Sequence, residues 1–316
     1  MENSIIIGCD IGNKLIKTAS SITPAGLQKL TGTPVVAPAD PQEYLLVNGE
    51  HYLVSNKRIA YERDKSGSQA HLYLAMIALA KELRNRNLSP NSEITLAVGL
   101  PPGHMADQEV VNHYREYFRQ NGGLYRFQAG GVSYQVKVKD LIVCPQAYSV
   151  LFTLPQNILE YSSLRVVDIG GGTVDTIHIE NGTPDPLMPS LGMGVIFLYG
   201  KIFIQLQNRF GRKISESQVD EILLGKQSFF SEEQKQVVRY AARSHMQEIF
   251  DGFRETGEDW RSSYVVFCGG GSALLKEPIQ ELAGKYTGAF QIVDDVCANA
   301  KGYEVFAHMA LKARRK

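Results

Sequence analysis

The chain has 316 residues, of which 44% are hydrophobic and 21% are charged. This length exceeds what a single hydrophobic core usually serves, so we expect two domains. The 33 basic residues balance the 33 acidic ones, whereas proteins that bind nucleic-acid backbones are normally basic. The composition therefore disfavours strong direct binding to DNA.

The cysteine and hydropathy patterns predict a cytoplasmic protein without a membrane partner. The four cysteines lie far apart and form no C-x-x-C pair, which is typical of a reducing cytosol. No apolar run approaches the roughly 20 residues that span a bilayer, and Met1–Ser4 enters a strand too abruptly for a signal peptide. The one concentrated basic run, Lys312–Lys316, is interpreted as a solvated helix end.

The first half of the chain alternates short strands with helices. Ser4–Ile7 predicts a strand, Gly8–Gly12 a turn and Leu15–Ala19 the return strand of a hairpin. The irregular segment Leu30–Ile59, with short strands such as Tyr44–Val47, predicts an inserted subdomain. The next predicted elements are a helix opened by Ser68, a strand at Ile94–Val98, a helix carrying Val110–Phe118, strands at Tyr134–Val138 and Leu141–Cys144, and a helix with Pro145 in its first position.

The second half opens as the first does. Leu164–Val167 predicts a strand, Asp168–Thr173 a turn and Val174–Ile179 the return strand. Helices are predicted across Val195–Thr256, where Ser215 and Ser231 each begin a capping box. The remaining predicted elements are a strand at Tyr264–Phe267, a turn at Gly269–Ser272, a helix through Leu274–Leu282, a strand at Gln291–Val293 and a helix at Ala298–Lys312.

A strand, an Asp-Ile-Gly turn and a second strand recur at Ile5–Thr18 and Arg165–Ile177. No short-period repeat is present, so the recurrence indicates two halves of one design rather than a solenoid. We therefore predict an α/β protein with two duplicated domains. The two halves would face each other across a cleft with an aspartate turn on each wall.

The glycine turns suit the binding of a triphosphate. Residues without Cβ let backbone N–H groups come within hydrogen-bond reach of phosphate oxygens. Gly12 and Asn13 would do this in the first turn, and Gly170–Thr173 in the second. A single Asp-x-Gly is usually only a tight turn, and Gly269–Ser272 is equally well explained as a helix entry. The order of the three turns, each after a strand, is what favours phosphate binding.

Carboxylates and a lysine complete the predicted site. Asp10 and Asp168 lie one in each turn and suit Mg²⁺, which is often held by one or two carboxylates through water. Lys17 would lie on the return strand and point toward the β- and γ-phosphates. Other nucleotide sites are disfavoured, because no G-x-x-x-x-G-K-[ST] is present and no G-x-G-x-x-G opens a helix after the first strand.

These motifs together resemble those of the actin, sugar-kinase and heat-shock chaperone superfamily. Asp10–Lys17 resembles its first phosphate motif and Val167–Asp175 its second. Val143–Ala147 resembles the first connecting helix, Val266–Ser272 the adenosine motif and Ala298–Tyr303 the second connecting helix. The resemblance covers nearly the whole chain.

The resemblance implies roles for individual residues. Gln146 matches the glutamine beside the hydrolytic water, and Asp10, Asp168 and Lys17 complete the catalytic set. Mg²⁺ would be held by Asp10 and Asp168 through water. The implied nucleotide-binding residues are Gly12, Asn13, Lys17, Gly170, Gly171, Gly172, Thr173, Asp175, Gly269, Gly270, Gly271 and Ser272.

Within the superfamily, the chain looks most like the plasmid-segregation actins of the ParM/StbA type. That resemblance implies an actin-like ATPase fold and an ATPase that forms head-to-tail filaments with ATP and Mg²⁺. It also implies a DNA-binding adaptor protein of a partition system as partner. The expected domain I is 1–160, with an inserted subdomain at about 30–90, completed by 298–316; domain II is 161–297, with a helical insertion at about 195–260.

Two other functions remain open. A small-molecule phosphotransferase of the same fold would need a carboxylate base aimed at a substrate hydroxyl. The amide of Gln146 is a poor base and favours an ATPase. A membrane-associated cell-shape or division relative of actin would need an amphipathic membrane segment, and neither terminus clearly offers one.

Overall fold

A computed structural model describes residues 5–61, 65–185 and 189–314. The predicted strand start at Ser4 and the end of the basic run, Arg315 and Lys316, lie outside the described residues. The described strands are β1 Ile5–Ile11, β2 Leu15–Thr18, β3 Ile22–Pro24, β4 Leu27–Leu30, β5 Tyr44–Val47, β6 Glu50–Val54, β7 Glu93–Leu100, β8 Leu124–Ala129, β9 Val132–Pro145, β10 Ser163–Ile169, β11 Val174–Glu180, β12 Thr183–Pro184, β13 Ser190–Leu191, β14 Tyr264–Cys268 and β15 Ala289–Ile292. The helices are α1 Ala70–Asn85, α2 Pro102–Met105, α3 Gln108–Phe118, α4 Gln120–Gly123, α5 Val195–Phe210, α6 Glu216–Leu223, α7 Glu232–Glu255, α8 Gly270–Leu274, α9 Lys276–Leu282 and α10 Ala298–Ala313.

The chain divides into two compact units. The first unit runs to Pro155 and resumes at Cys297, so α10 belongs to it; the second unit is Gln156–Val296. In the described part of the first unit, nine strands form one sheet in the order β3-β2-β1-β7-β9-β8-β5-β6-β4. In the second unit the order is β12-β11-β10-β14-β15, and β13 also pairs with β11.

Each sheet contains the same core of strands. In the first unit, β1 pairs antiparallel with β2 and parallel with β7, which pairs parallel with β9. In the second unit, β10 pairs antiparallel with β11 and parallel with β14, which pairs parallel with β15. Because the carboxyl ends of parallel strands meet at one edge of a sheet, this topology brings the residues after β1 and β9 together in one unit, and those after β10 and β14 together in the other.

Buried helices cover these sheets. In α1, every residue from His71 to Leu83 is buried, so this helix has apolar residues on all sides. Its two charged residues in that run are paired: Lys81 lies 2.7 Å from Glu43, and Glu82 accepts a hydrogen bond from Arg86 at 2.5 Å. In the second unit, α5 and α7 pack against a core that includes Val167 and Phe267 of the central strands. The capping boxes predicted at Ser215 and Ser231 are present.

The prediction that Pro145 begins a helix is wrong. Pro145 is the last residue of β9. Two residues later, Ala147 has φ 62° and ψ −61°, a conformation that no α-helix contains. The residues after it, Tyr148–Thr153, form a 3-10 helix. The predicted strands Tyr134–Val138 and Leu141–Cys144 are one strand, β9, whose register against β7 shifts between Ile94 and Thr95.

The single helix predicted through Leu274–Leu282 is also wrong, because it consists of two helices. The break at Leu275 separates α8 from α9. Pro278 explains the break: it has no N–H to donate to the carbonyl of Leu274, four residues earlier, but is tolerated in the first turn of a new helix.

Candidate functional site

In the first unit, the hairpin of β1 and β2 pairs a carboxylate with a lysine. Asp10 and Lys17 lie opposite each other in the strand register, and the Lys17 Nζ is 2.8 Å from Asp10 Oδ2. Both side chains are buried. The Nε2 of Gln146, which follows β9, donates to the other oxygen, Asp10 Oδ1, at 3.3 Å. Three of the predicted catalytic residues are therefore in contact.

The turn between β1 and β2 requires a glycine at position 12. Its N–H donates to the Leu15 carbonyl at 3.1 Å, and a Cβ on Gly12 would lie 2.4 Å from that same oxygen. The neighbouring Asn13 has a buried side-chain oxygen, Oδ1, for which the described residues provide no hydrogen-bond donor. Because a buried polar atom without a partner is unusual, Asn13 is suited to a ligand that supplies a donor, such as a water of a hydrated metal ion.

In the second unit, three carbonyl groups of the second turn, those of Gly170, Gly171 and Gly172, face the start of α5. Gly194 donates to the Gly172 carbonyl at 3.1 Å, Val195 to Gly170 at 3.1 Å and Ile196 to Gly171 at 2.9 Å. The N–H groups of Gly171, Gly172 and Thr173 have no acceptor among the described residues. Consecutive backbone N–H groups that are not used within the fold can donate to an anion. This geometry fits the phosphates of a nucleotide.

Two buried carboxylates flank the second turn. Asp168 at the end of β10 lies opposite Asp175 of β11 in the register, and both residues are buried. Thr173 Oγ1 donates to Asp175 Oδ2 at 2.8 Å, which orients that carboxylate. Like charges placed directly opposite each other disfavour a hairpin, and a cation at this turn would relieve their repulsion.

The turn after β14 packs closely against Asp168. Gly269 has φ 88°, and a Cβ there would lie 2.1 Å from Asp168 Oδ1. A Cβ on Gly271 would lie 2.4 Å from Ile169 Cγ2, so both glycines are required by the packing. The Ser272 hydroxyl is buried and donates to the Cys268 carbonyl, so this side chain stabilises the start of α8.

The site residues predicted from sequence thus fall into two groups. Asp10, Gly12, Asn13, Lys17 and Gln146 come together in the first unit. The second unit brings together Asp168, Gly170, Gly171, Gly172, Thr173, Asp175, Gly269, Gly270, Gly271 and Ser272. The sequence did not predict that Gly194 packs on the second turn, although its position before the apolar residues of α5 was a usable signal.

Two buried groups at the first hairpin, the Cys9 thiol of β1 and the Glu82 carboxyl of α1, have shifted pKa values. Burial, and then the charge of Asp10, raise the pKa of the Cys9 thiol well above its usual range. For Glu82, burial alone would raise the pKa, but hydrogen bonds from Thr18, Ser20 and Arg86 lower it. The carboxylate therefore stays charged and holds the end of β2 on α1.

None of the helices in 5–61, 65–185 or 189–314 is long and apolar enough to cross a membrane. Within the same ranges, no group of three or more His, Cys, Asp and Glu side chains could hold a metal ion. Mg²⁺ at nucleotide sites commonly takes only one or two carboxylates and completes its shell with water and phosphate oxygens. Asp10 offers one such buried carboxylate in the first unit, and Asp168 offers one in the second.

The sequence and the fold were compared with known proteins. Residues 8–148 match the sequence model of the N-terminal domain of actin-like proteins. No curated protein sequence gave a significant match.

Solved structures resemble the chain over its whole length. The crystal structure of ParM from pSK41 is 16% identical with a TM-score of 0.71, and each chain is covered to 100%. A 15-stranded ParM filament from Clostridium botulinum is 18% identical with a TM-score of 0.74, covering 97% of this chain and 99% of the other. The archaeal actin homologue Ta0583, in complex with ADP, is 18% identical with a TM-score of 0.70, covering 96% and 99%.

These similarities establish the architecture of the chain. The α/β fold with two domains predicted from the sequence is confirmed, as is the resemblance to bacterial actin-like proteins. The chain has the actin-like fold, and residues 8–148 match the N-terminal domain of the actin-like proteins.

Proposed function

We propose that this protein is a Mg²⁺-dependent ATPase that assembles into head-to-tail filaments and segregates plasmid DNA through a DNA-binding adaptor of a partition system. The observation that carries the proposal is the row of N–H groups at Gly171, Gly172 and Thr173 that have no acceptor among the described residues. The carbonyl groups of the same turn accept hydrogen bonds from the start of α5. A row of donors without an acceptor in the described part of its unit suits a polyphosphate.

The two groups of site residues have complementary roles in this proposal. Lys17 and the turn at Gly12 and Asn13 would bind phosphate oxygens from the first unit, and Gly170–Thr173 from the second. Asp10 and Asp168 would hold Mg²⁺ through its water shell. When bound, Mg-ATP supplies the γ-phosphoryl group that is transferred to water. Gln146 would orient that water, because its carboxamide can both donate and accept a hydrogen bond.

Relatives of the same fold support assembly. The ParM of Clostridium botulinum was solved as a 15-stranded filament, and another actin-like relative, Alp12, was also solved as a filament. The balanced charge of this chain supports an indirect link to DNA, since few phosphate counterions would be released on direct binding. We expect weak direct binding to DNA at about 0.15 M salt, and a cytoplasmic location.

Sedimentation and light scattering of the purified protein test this proposal. We expect filaments with Mg-ATP or a non-hydrolysable analogue and much less polymer with ADP, with critical concentrations that differ by about tenfold or more, as in an ordinary coupling between two sites. Asp168→Ala should weaken the response to ATP. A protein that stays monomeric at tens of micromolar (about the scale of such contacts) in every nucleotide state would contradict filament assembly and favour a phosphotransferase.

A further inference from the structure

A strained turn positions Gln146. The Tyr148 N–H donates to the Gln146 carbonyl at 2.6 Å, and Ala147 between them has φ 62° and ψ −61°. This is a γ-turn with its central residue at positive φ, a conformation that is rare and strained for a residue with a side chain. Such strain persists only where the surroundings hold it, and it is concentrated at functional sites.

A side chain from the C-terminal helix holds this turn. The N–H of Ala147, which the γ-turn itself leaves unused, donates to Asn299 Oδ1 at 3.1 Å. Ala147 is completely buried and Asn299 is 3% exposed, so water does not replace this bond. On the preceding residue, the Gln146 N–H donates to the Leu100 carbonyl at 2.9 Å. The backbone on both sides of the Gln146 side chain is therefore fixed.

Close backbone approaches fix Asn299 in turn. A Cβ on Gly302 would lie 2.0 Å from the Ser149 carbonyl oxygen, so the second turn of α10 packs directly on the residues that follow the γ-turn. A Cβ on Gly8 would lie 1.9 Å from the Ala300 carbonyl oxygen. Glu304 adds a hydrogen bond from the Gly8 N–H at 3.0 Å. The N-terminal half of α10, which carries Asn299, is thus held between β1 and the 3-10 helix.

We propose that Asn299 is a positioning residue for hydrolysis: it holds Ala147 in the strained turn and so aims the Gln146 carboxamide, which lies 3.3 Å from Asp10 Oδ1. This inference rests on the proposed ATPase function and extends it to a residue that contacts no reacting group. Without Asn299, the turn relaxes toward an ordinary conformation, and the side chain of Gln146 turns away from Asp10.

Kinetics on three variants separate this role from a purely structural one. Asn299→Ala should lower the kcat of ATP hydrolysis by about fivefold or more while the dissociation constant for ATP changes less than about twofold, the pattern of a group that acts in the transition state. Adding Ala147→Gly to Asn299→Ala should restore part of the kcat, because glycine adopts positive φ without strain. Rates are compared at equal polymer mass, measured by sedimentation.

Phe306→Leu is the matched control. Its ring packs 6.1 Å from that of Phe152 in the same 3-10 helix, between centroids, so this variant loosens α10 without touching the Ala147 bond. It should lower Tm and leave kcat unchanged. If Asn299→Ala lowers Tm alone, as this control does, the inference is overturned.

Asn299→Asp keeps an oxygen within reach of the Ala147 N–H. Because position 299 is buried, a carboxylate there should lower Tm, but the folded fraction should retain the wild-type kcat. Loss of stability and loss of positioning are thereby separated. A fivefold loss in Asn299→Asp at unchanged ATP affinity would overturn the inference. Amide hydrogen exchange at Ala147 should accelerate in Asn299→Ala and stay slow in Asn299→Asp; equal exchange in both would also overturn it.

The outcomes distinguish this inference from the proposed function. Suppose that the wild-type protein hydrolyses ATP and that Gln146→Ala does so slowly. If Asn299→Ala then has the wild-type kcat, only the positioning role of Asn299 is overturned. If wild-type protein shows no ATP hydrolysis, the proposed function falls, and the inference falls with it.

Discussion

Lys17 and Asp10 form a buried ion pair across the first hairpin, with the Lys17 Nζ 2.8 Å from Asp10 Oδ2. The side chains are only 8% and 3% exposed. Removing one partner of such a pair leaves an uncompensated charge in the interior, whereas removing both leaves none. Breaking the pair should therefore destabilise the hairpin, and the intact pair keeps a charged amine next to the proposed phosphate site.

Lys17→Met should lower the free energy of unfolding by about 3–5 kcal/mol, because Asp10 stays buried without its cation. The double variant Lys17→Met with Asp10→Asn should recover part of that loss, with a coupling energy of about 0.5–3 kcal/mol. Urea unfolding followed by circular dichroism measures both. Strictly additive losses would show that the ion pair makes no net contribution. The double variant should still fail to bind ATP.

Gln146→Ala should slow ATP hydrolysis by about tenfold or more and leave ATP binding nearly unchanged, because a group that orients water acts mainly in the transition state. Filaments should then persist longer after ATP is added. Thr153→Ala is a suitable control, since it removes a hydrogen bond to the Val150 carbonyl in the adjacent 3-10 helix. Equal losses of ATP affinity and of turnover in Gln146→Ala would contradict the assigned role.

Asp168→Ala should weaken Mg²⁺-dependent ATP binding at least as much as Asp10→Ala. Asp168 lies opposite a second carboxylate, Asp175, at the second turn, whereas Asp10 is already paired with Lys17. Titration of ATP with and without Mg²⁺ measures the difference. Wild-type affinity with a normal response to Mg²⁺ in both variants would show that neither carboxylate holds the metal.

The hairpins could be predicted from the sequence because their pattern is local. An apolar strand, a turn of Asp and Gly, and a second strand determine that Asp10 and Lys17 face each other, and the same holds for Asp168 and Asp175. The capping boxes of α6 and α7 are also local, since both partners lie within four residues.

The surroundings of Gln146 could not be predicted in the same way. The positive φ of Ala147 has no local signal, because Pro145 alone is typical of a helix start. The turn depends on Asn299, which lies 152 residues away in sequence. The same limitation applies to Gly194: its role depends on contact with Gly171 and Gly172, which only the packing of α5 on the second turn creates.

Gly194→Ala should weaken ATP binding by about tenfold or more. A Cβ on Gly194 would lie 2.4 Å from the Gly171 carbonyl oxygen and 2.6 Å from the Gly172 carbonyl carbon. Both are backbone atoms, so the turn has to shift, and a small displacement of binding groups can cost about 100-fold in rate or affinity.

Gly200→Ala is the matched control in the same helix. A Cβ at Gly200 would meet nothing within 4 Å, and alanine favours a helix over glycine by about 0.5–1 kcal/mol. This variant should be slightly more stable and bind ATP as the wild type does. Normal ATP binding by Gly194→Ala would show that the second turn does not depend on its contact with α5.

His245 should make the second unit sensitive to acid. This residue of α7 is completely buried, and its Nε2–H donates to the Met193 carbonyl at 2.9 Å, next to Gly194. Burial, and then the charge of Lys201, lower its pKa from 6.5 to about 4, while the Met193 carbonyl and Glu248 act in the opposite direction. The other ring nitrogen, Nδ1, is buried without a partner among the described residues, so a protonated Nδ1–H would find no hydrogen-bond acceptor among them.

The sign of the effect follows from proton binding. Above about pH 6.5 the His245 imidazole is neutral in both the folded and the unfolded chain, so it does not reduce the free energy of unfolding. Between pH 6.5 and about 4, the unfolded chain binds a proton that the folded protein does not, so the free energy of unfolding falls as the pH falls. The slope is at most about 1.4 kcal/mol per pH unit, which gives a total loss of about 3 kcal/mol; below pH 4 no further loss comes from this residue.

The variant His245→Gln tests this directly, because glutamine can donate to the Met193 carbonyl and does not titrate. Its free energy of unfolding, measured by urea denaturation from pH 7.5 to 4.5, should depend less on pH than that of the wild type. The difference between the two should shrink as the pH falls. His308→Gln, at an exposed position of α10, should leave the pH dependence unchanged. If His245→Gln and the wild type lose stability in parallel, the buried imidazole is not the group that titrates.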